Sequence, residues 1–95
     1  MTQKIREWAQ SVALQALTFI LSDTDHLGRF MDLSGLSPTD LENRIDDPEL
    51  LGGILDYLLM NEADLLNFCE AAELSPEQPA QARAQLPGGG VYEWT

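Results

Sequence analysis

An all-α fold, a bundle of about six short helices, is what the sequence predicts, and three observations carry that expectation. Three prolines stand directly behind a residue able to cap free helix N–H groups, at Ser37-Pro38, Asp47-Pro48 and Ser75-Pro76, the N-cap then N1 order that favours a helix start. Apolar residues recur at helical spacing, and no stretch sustains the two-residue alternation of a strand. Sliding the chain against itself by 38 residues also brings Leu17, Leu21, Leu27, Phe30, Leu36, Ser37 and Pro38 onto Leu55, Leu59, Leu65, Phe68, Leu74, Ser75 and Pro76, the signature of a repeated unit.

The first helix is expected over 3–21, with Ser11, Gln15, Thr18 and Ser22 on one polar arc. The second, 25–34, opens on Asp23 or Thr24 as cap, gains from Asp25 at its positive dipole end, and closes on Gly35. Ser37 starts the third, 38–44, where Asp40 stands three residues on and can complete a capping box. Asp46, Asp47 and Glu49 gather at the start of the fourth, 48–60, and Asn61 opens the fifth, 62–73. Ser75, with Gln78 three residues later, opens the sixth, 76–86. The domain therefore spans 1–86, with segments 12–44 and 50–82 as the repeat. Either a three-helix unit is duplicated, packing by pseudo-twofold symmetry around helices one and four, or capped amphipathic helices resemble one another by composition. Over 87–95, Gly88-Gly89-Gly90 reads as a flexible link and Val91-Tyr92-Glu93-Trp94 as a short aromatic tail.

Five basic against sixteen acidic residues give a formal net charge of −11 on 95 residues. Phosphate backbones and anionic membrane surfaces repel such a chain, so neither nucleic acid nor membrane is an expected partner. The apolar stretch Val12 to Leu21 is ten residues long, about half a membrane span. It imitates a signal-peptide core, but Glu7 sits beside Lys4 and Arg6 and no small-x-small cleavage site precedes Asp23. One cysteine, Cys69, cannot form an intrachain disulfide, which fits a reducing cytoplasm. With the one histidine, His26, it falls short of a zinc site.

The segments Leu55-Asp56-Tyr57-Leu58-Leu59-Met60-Asn61-Glu62, Phe68-Cys69-Glu70-Ala71-Ala72 and Ala82-Arg83-Ala84-Gln85-Leu86-Pro87-Gly88-Gly89 resemble a family of small bacterial proteins made of one domain of unknown function. The resemblance extends through Ala16-Leu17-Thr18-Phe19-Ile20-Leu21 and the closing Trp94-Thr95, and Leu55 to Met60 is its most specific part. It implies an all-helical cytoplasmic protein and supplies no catalytic residue.

Catalytic chemistry finds little footing in the residues themselves. Leu65, Phe68, Cys69 and Ala72 follow the spacing of one buried helix stripe, so Cys69 is expected to be core rather than nucleophile. A Cys69–His26 dyad would need residues more than a helix turn apart under the repeat. Asp23-Thr24-Asp25-His26-Leu27-Gly28 imitates a calcium loop but has Leu27 and Ser34 where ligands five and twelve belong. Its acids are explained by capping. The sixteen carboxylates fall mostly at helix starts or on polar faces, no serine sits in a nucleophile motif, and no glycine-rich loop joins a strand to a helix. No enzyme, metal or cofactor is therefore expected.

Binding features are clearer. Gly52 and Gly53 interrupt the apolar periodicity of Leu50, Leu51, Ile54, Leu55 and Leu58, each costing about 1 kcal/mol against Ala. Placed on the polar arc with Glu49 and Asp56, they are either tolerated surface positions or a point of close approach by a helix, the tail or a partner. The tail could dock on its own core, stay disordered or reach a partner. Gly52, Gly53, Asp56, Met60, Tyr92 and Trp94 are the candidate protein-contact residues. The expected function is a cytoplasmic protein-binding or adaptor module, with a second copy of the chain among the admissible partners. The alternative is a small enzyme or metal-dependent accessory protein.

Overall fold

The computed structural model describes residues 2–86. Six helices occupy them, α1 (Thr2–Leu21), α2 (Thr24–Ser34), α3 (Pro38–Asn43), α4 (Pro48–Leu59), α5 (Glu62–Ala72) and α6 (Gln78–Ala84), and no strand occurs among the described residues. The fold is thus the all-α bundle the sequence predicts. Gly88, Gly89, Gly90, Tyr92 and Trp94 lie outside the described residues.

Side-chain caps set most helix starts. The Asp23 carboxylate accepts from the backbone N–H groups of Asp25 and His26, Asp47 from Glu49, and Asn61 from Asp64. Ser37 and Asp40 form the full reciprocal box at α3, each side chain accepting from the other's backbone at 3.1 Å. These bonds stabilise the carboxylate form, and the Asp40 pKa falls below its ordinary 3.8, chiefly through the Ser37 backbone N–H. Asp47 is lowered in the same direction, first by the Arg44 guanidinium and then by the Glu49 N–H. At the other ends, Gly35 and Glu73 both turn left-handed, with φ of 74° and 60°.

The sixth helix departs from expectation. It begins at Gln78 rather than residue 76, with Glu77 as an N-cap that makes no side-chain capping bond. Half of the expected box survives, since the Ser75 N–H donates to Gln78 Oε1 at 2.8 Å. Pro79 explains the rest. In α3 the Leu41 N–H donates to the Ser37 carbonyl at 3.1 Å, but Pro79, at the corresponding position, has no N–H for Ser75. The Ser75 carbonyl instead takes the Gln78 N–H at 3.1 Å in a tight turn.

Helices α1 and α4 pack against each other, α1 carries α2 and α4 carries α5, and α6 packs on both central helices. Small residues let α1 be approached closely: Ala9, Ala13 and Ala16 are fully buried beside Val12 and Ile20. From α4 come Leu51, Ile54, Leu55 and Leu58, each contributing about 2 kcal/mol by leaving water. Leu17, Phe30, Leu41, Leu50, Tyr57, Phe68, Cys69, Ala82 and Leu86 complete the core.

The 38-residue offset relates local geometry as well as sequence. Caps Asp23 and Asn61 correspond, as do the left-handed residues Gly35 and Glu73. Phe19 meets Phe68 edge-on at 5.7 Å, and the pair obtained by exchanging the halves, Tyr57 and Phe30, meets edge-on at 5.5 Å. The third helices break the relation, since α6 packs broadly on α1 and α4 whereas α3 makes no comparably broad helix–helix packing.

Candidate functional site

Residues 49, 53, 56 and 60 share one face of α4 because they recur at helical spacing. Opposite them stand Phe30, Leu33 and Ser34 of α2, and Leu36 and Arg44 close the ends of a groove of about 320 Å³, floored by Leu50 and Tyr57. Leu33 and Met60 are 64% and 67% exposed on its rims. Gly53 keeps the floor open, for a Cβ there would meet nothing within 4 Å. Three of the sequence-named residues, Gly53, Asp56 and Met60, thus line one groove.

Gly52 does not join them. The polar-arc placement is corrected by the structure: Gly52 is buried beneath Arg83, whose Nη1 would stand 2.8 Å from an added Cβ. The close approach at the glycine pair is therefore a side chain from α6. Arg83 binds Asp56 through two bonds, Nε to Oδ1 at 2.7 Å and Nη2 to Oδ2 at 3.1 Å, the bidentate geometry that makes such pairs strong. Its Nη1 also donates to the Leu86 carbonyl at 3.4 Å. Asp56 therefore joins the groove wall to α6.

A second groove, about 370 Å³, is lined by Gln15, Thr18, Phe19, Ser22, Phe68, Ala71 and Ala72. Adding or subtracting 38 turns these into Gly53, Asp56, Tyr57, Met60, Phe30, Leu33 and Ser34, all of them lining the first groove. The two sites are the same construction with different chemistry. The α2–α4 groove carries long apolar rims and charges, whereas its counterpart carries alanines and short uncharged polar groups. A third groove, about 290 Å³, runs between α1, α2 and α3, past Leu21, Met31 and Ile45.

Between the two related grooves lies a polar cluster that sequence reasoning missed. His26 Nδ1 is 3.1 Å from the Tyr57 hydroxyl and 3.1 Å from Arg29 Nη2. A guanidinium only donates, so in the Arg29 contact Nδ1 is the accepting nitrogen, which leaves Nε2 to carry the ring N–H. That nitrogen faces Asp64 Oδ1 at 3.5 Å, and Arg29 Nη1 approaches Asp64 Oδ2 at 3.7 Å. Burial is the main reason the Tyr57 hydroxyl holds its proton above the ordinary range. The signal was available: residues 26 and 64 correspond under the offset, so a twofold arrangement brings them face to face.

Cys69 is 3% exposed and its pKa is raised, foremost by burial and then by Glu77. Its Sγ contacts the Ser75 carbonyl at 3.7 Å. The Asp23 side chain is spent on capping α2, as the capping reading of the calcium-loop imitation expects. Among the described residues no group of three or more His, Cys, Asp or Glu side chains could hold a metal ion, and no helix is long and apolar enough to cross a membrane. Tyr92 and Trp94 lie outside the described residues.

No curated protein and no solved structure matches the chain. A family model does, over residues 6–89, a stretch that includes the whole α2–α4 groove and the Arg83–Asp56 pair. The chain therefore belongs to the family described as a protein of unknown function, DUF3572.

Proposed function

We propose that the protein is a non-catalytic protein-binding module of the cytoplasm, whose α2–α4 groove receives the apolar face of a partner helix carrying basic residues. The observation that carries this is the groove itself, where Leu33 and Met60 stay largely exposed above an open floor at Gly53. Exposed apolar rims around a concave floor are what an inserted helix face would cover. Glu49 lines it, and Asp32, Asp46 and Glu62, each within two residues of a lining residue in the sequence, are exposed like Glu49. On a chain of net charge −11, they would speed encounter with a basic partner more than they would raise affinity.

The enzyme alternative has one observation in its favour, the chain Asp64, His26, Tyr57. It would relay a proton only if a substrate reached the Tyr57 hydroxyl, which bonds inward to His26. The two readings part on mutation. Proteins co-purifying with the native chain should be lost from Leu33→Glu and Met60→Glu, yet retained by Leu66→Glu, whose parent side chain is exposed on α5. Retention by the groove variants, or loss from His26→Gln alone, would count against docking.

A further inference from the structure

We infer that the partner helix lies in the α2–α4 groove in one register, with a Gly or Ala seated on Gly53 and a Lys or Arg one helical turn away at Glu49. The inference rests on reading that groove as a docking site and names what the partner must carry. Gly53 is the first argument. Its neighbour Gly52 is accounted for inside the chain, because the Arg83 guanidinium lies against it. No described residue accounts for Gly53: a Cβ there would meet nothing within 4 Å, and glycine in a helix interior costs stability against alanine. The counterpart groove, built the same way, carries Gln15 at this position. A bare backbone on a groove floor lets a second helix approach closely, provided that helix also presents a small residue there.

Charge is the second argument. Arg44, Glu49 and Asp56 are the charged residues lining the groove, and two of them are answered within the chain. Both Asp56 oxygens accept from Arg83, while Arg44 gives Nε and Nη2 to Asp47 and also acts electrostatically on Asp40. Glu49 is exposed and has no ion-pair partner among the described residues. The fold does not demand its charge, since Ser11, Thr18 and Ala82 stand where the other half has Glu49, Asp56 and Arg44. Glu49 and Gly53 are one turn apart on α4, about 6 Å along its axis. A helix lying along the groove meets both with residues three or four apart in its own sequence.

The third argument sets aside a second copy of this chain. Its basic residues are Lys4, Arg6, Arg29, Arg44 and Arg83. Only Arg6 and Arg83 have a Gly or Ala three or four residues away, Ala9 and Ala80 respectively. Ala9 is buried in the core, and Arg83 is itself buried on Asp56. The occupant is thus a different protein, a helix whose small and basic residues lie one turn apart and whose apolar residues cover the exposed Leu33 and Met60.

The test uses the full chain and, as probe, a surface-displayed library of helical hairpins randomised along the outer face of one helix. Selected helices should carry Lys or Arg three or four residues from a Gly or Ala. Their binding should fall about tenfold against Glu49→Lys and less against Glu49→Gln, and changing the helix's own basic residue to Glu should restore binding to Glu49→Lys. Gly53→Leu should weaken binding by at least about tenfold although its unfolding midpoint is no lower, because Leu is the better helix former. That split separates a contact with the partner from a role in folding. Helices that need Met60 and Leu33 yet ignore Glu49→Lys and Gly53→Leu would overturn the register and leave the docking reading standing. Helices indifferent to Met60→Glu and Leu33→Glu, or no enrichment at all, would remove both. Self-association of the chain that Met60→Glu abolishes would put a second copy in the groove and overturn the proposal.

Discussion

The contrast between two adjacent glycines is the sharpest test at the scale of the residue. A Cβ at Gly53 meets nothing, whereas one at Gly52 drives into the Arg83 guanidinium. Gly53→Ala should therefore stabilise the protein by about 1 kcal/mol through helix propensity. Gly52→Ala gains the same term but displaces a charge-assisted pair, and a net loss of about 1–2 kcal/mol is expected in urea unfolding. The sequence showed that the pair was costly, not which member was needed, because Arg83 arrives from 31 residues away and its destination depends on the packing of α6. Cys69 was legible in full, since its stripe with Leu65, Phe68 and Ala72 is local. Burial keeps the thiol protonated, so a disulfide reagent at neutral pH should label it only after denaturation.

Caps, which are local chemistry, made the helix starts readable, and five of the six begin within a residue of the expected position. The sixth does not, because Pro79 withholds the N–H that Leu41 supplies in α3. Pro79→Ala should restore that donor and move the start of α6 toward Pro76, giving residue 79 a slowly exchanging amide where the native chain has none. Fast exchange at that amide would mean that the α1 and α4 contacts, rather than the proline, fix the start. Acid should act on the same caps. Asp40 and Asp47 have folded pKa values below 3.8, so their contribution is complete above the unfolded value and is lost as pH falls through the lower folded values. Helicity followed from about pH 5 to about pH 2 should fall in that acid range, and Asp47→Asn should flatten its share of the slope.

For the whole molecule, the 38-residue offset was the most productive sequence signal. It placed His26 over Asp64 and matched the second groove to the first residue by residue. The grooves themselves could not be read from sequence, because concavity arises where α2 leans on α4 and no local pattern encodes it. Net charge sets the remaining expectation about partners, a basic protein surface rather than a phosphate backbone. Docking in the α2–α4 groove is tested most directly by a photoreactive side chain placed in turn at Leu33, Met60, Ala71 and Leu66 of the full chain, in its native host. Positions 33 and 60 should give one intermolecular protein adduct in common, with positions 71 and 66 giving none of it. The same adduct from all four positions, or intermolecular adducts confined to 71 and 66, would contradict docking in this groove.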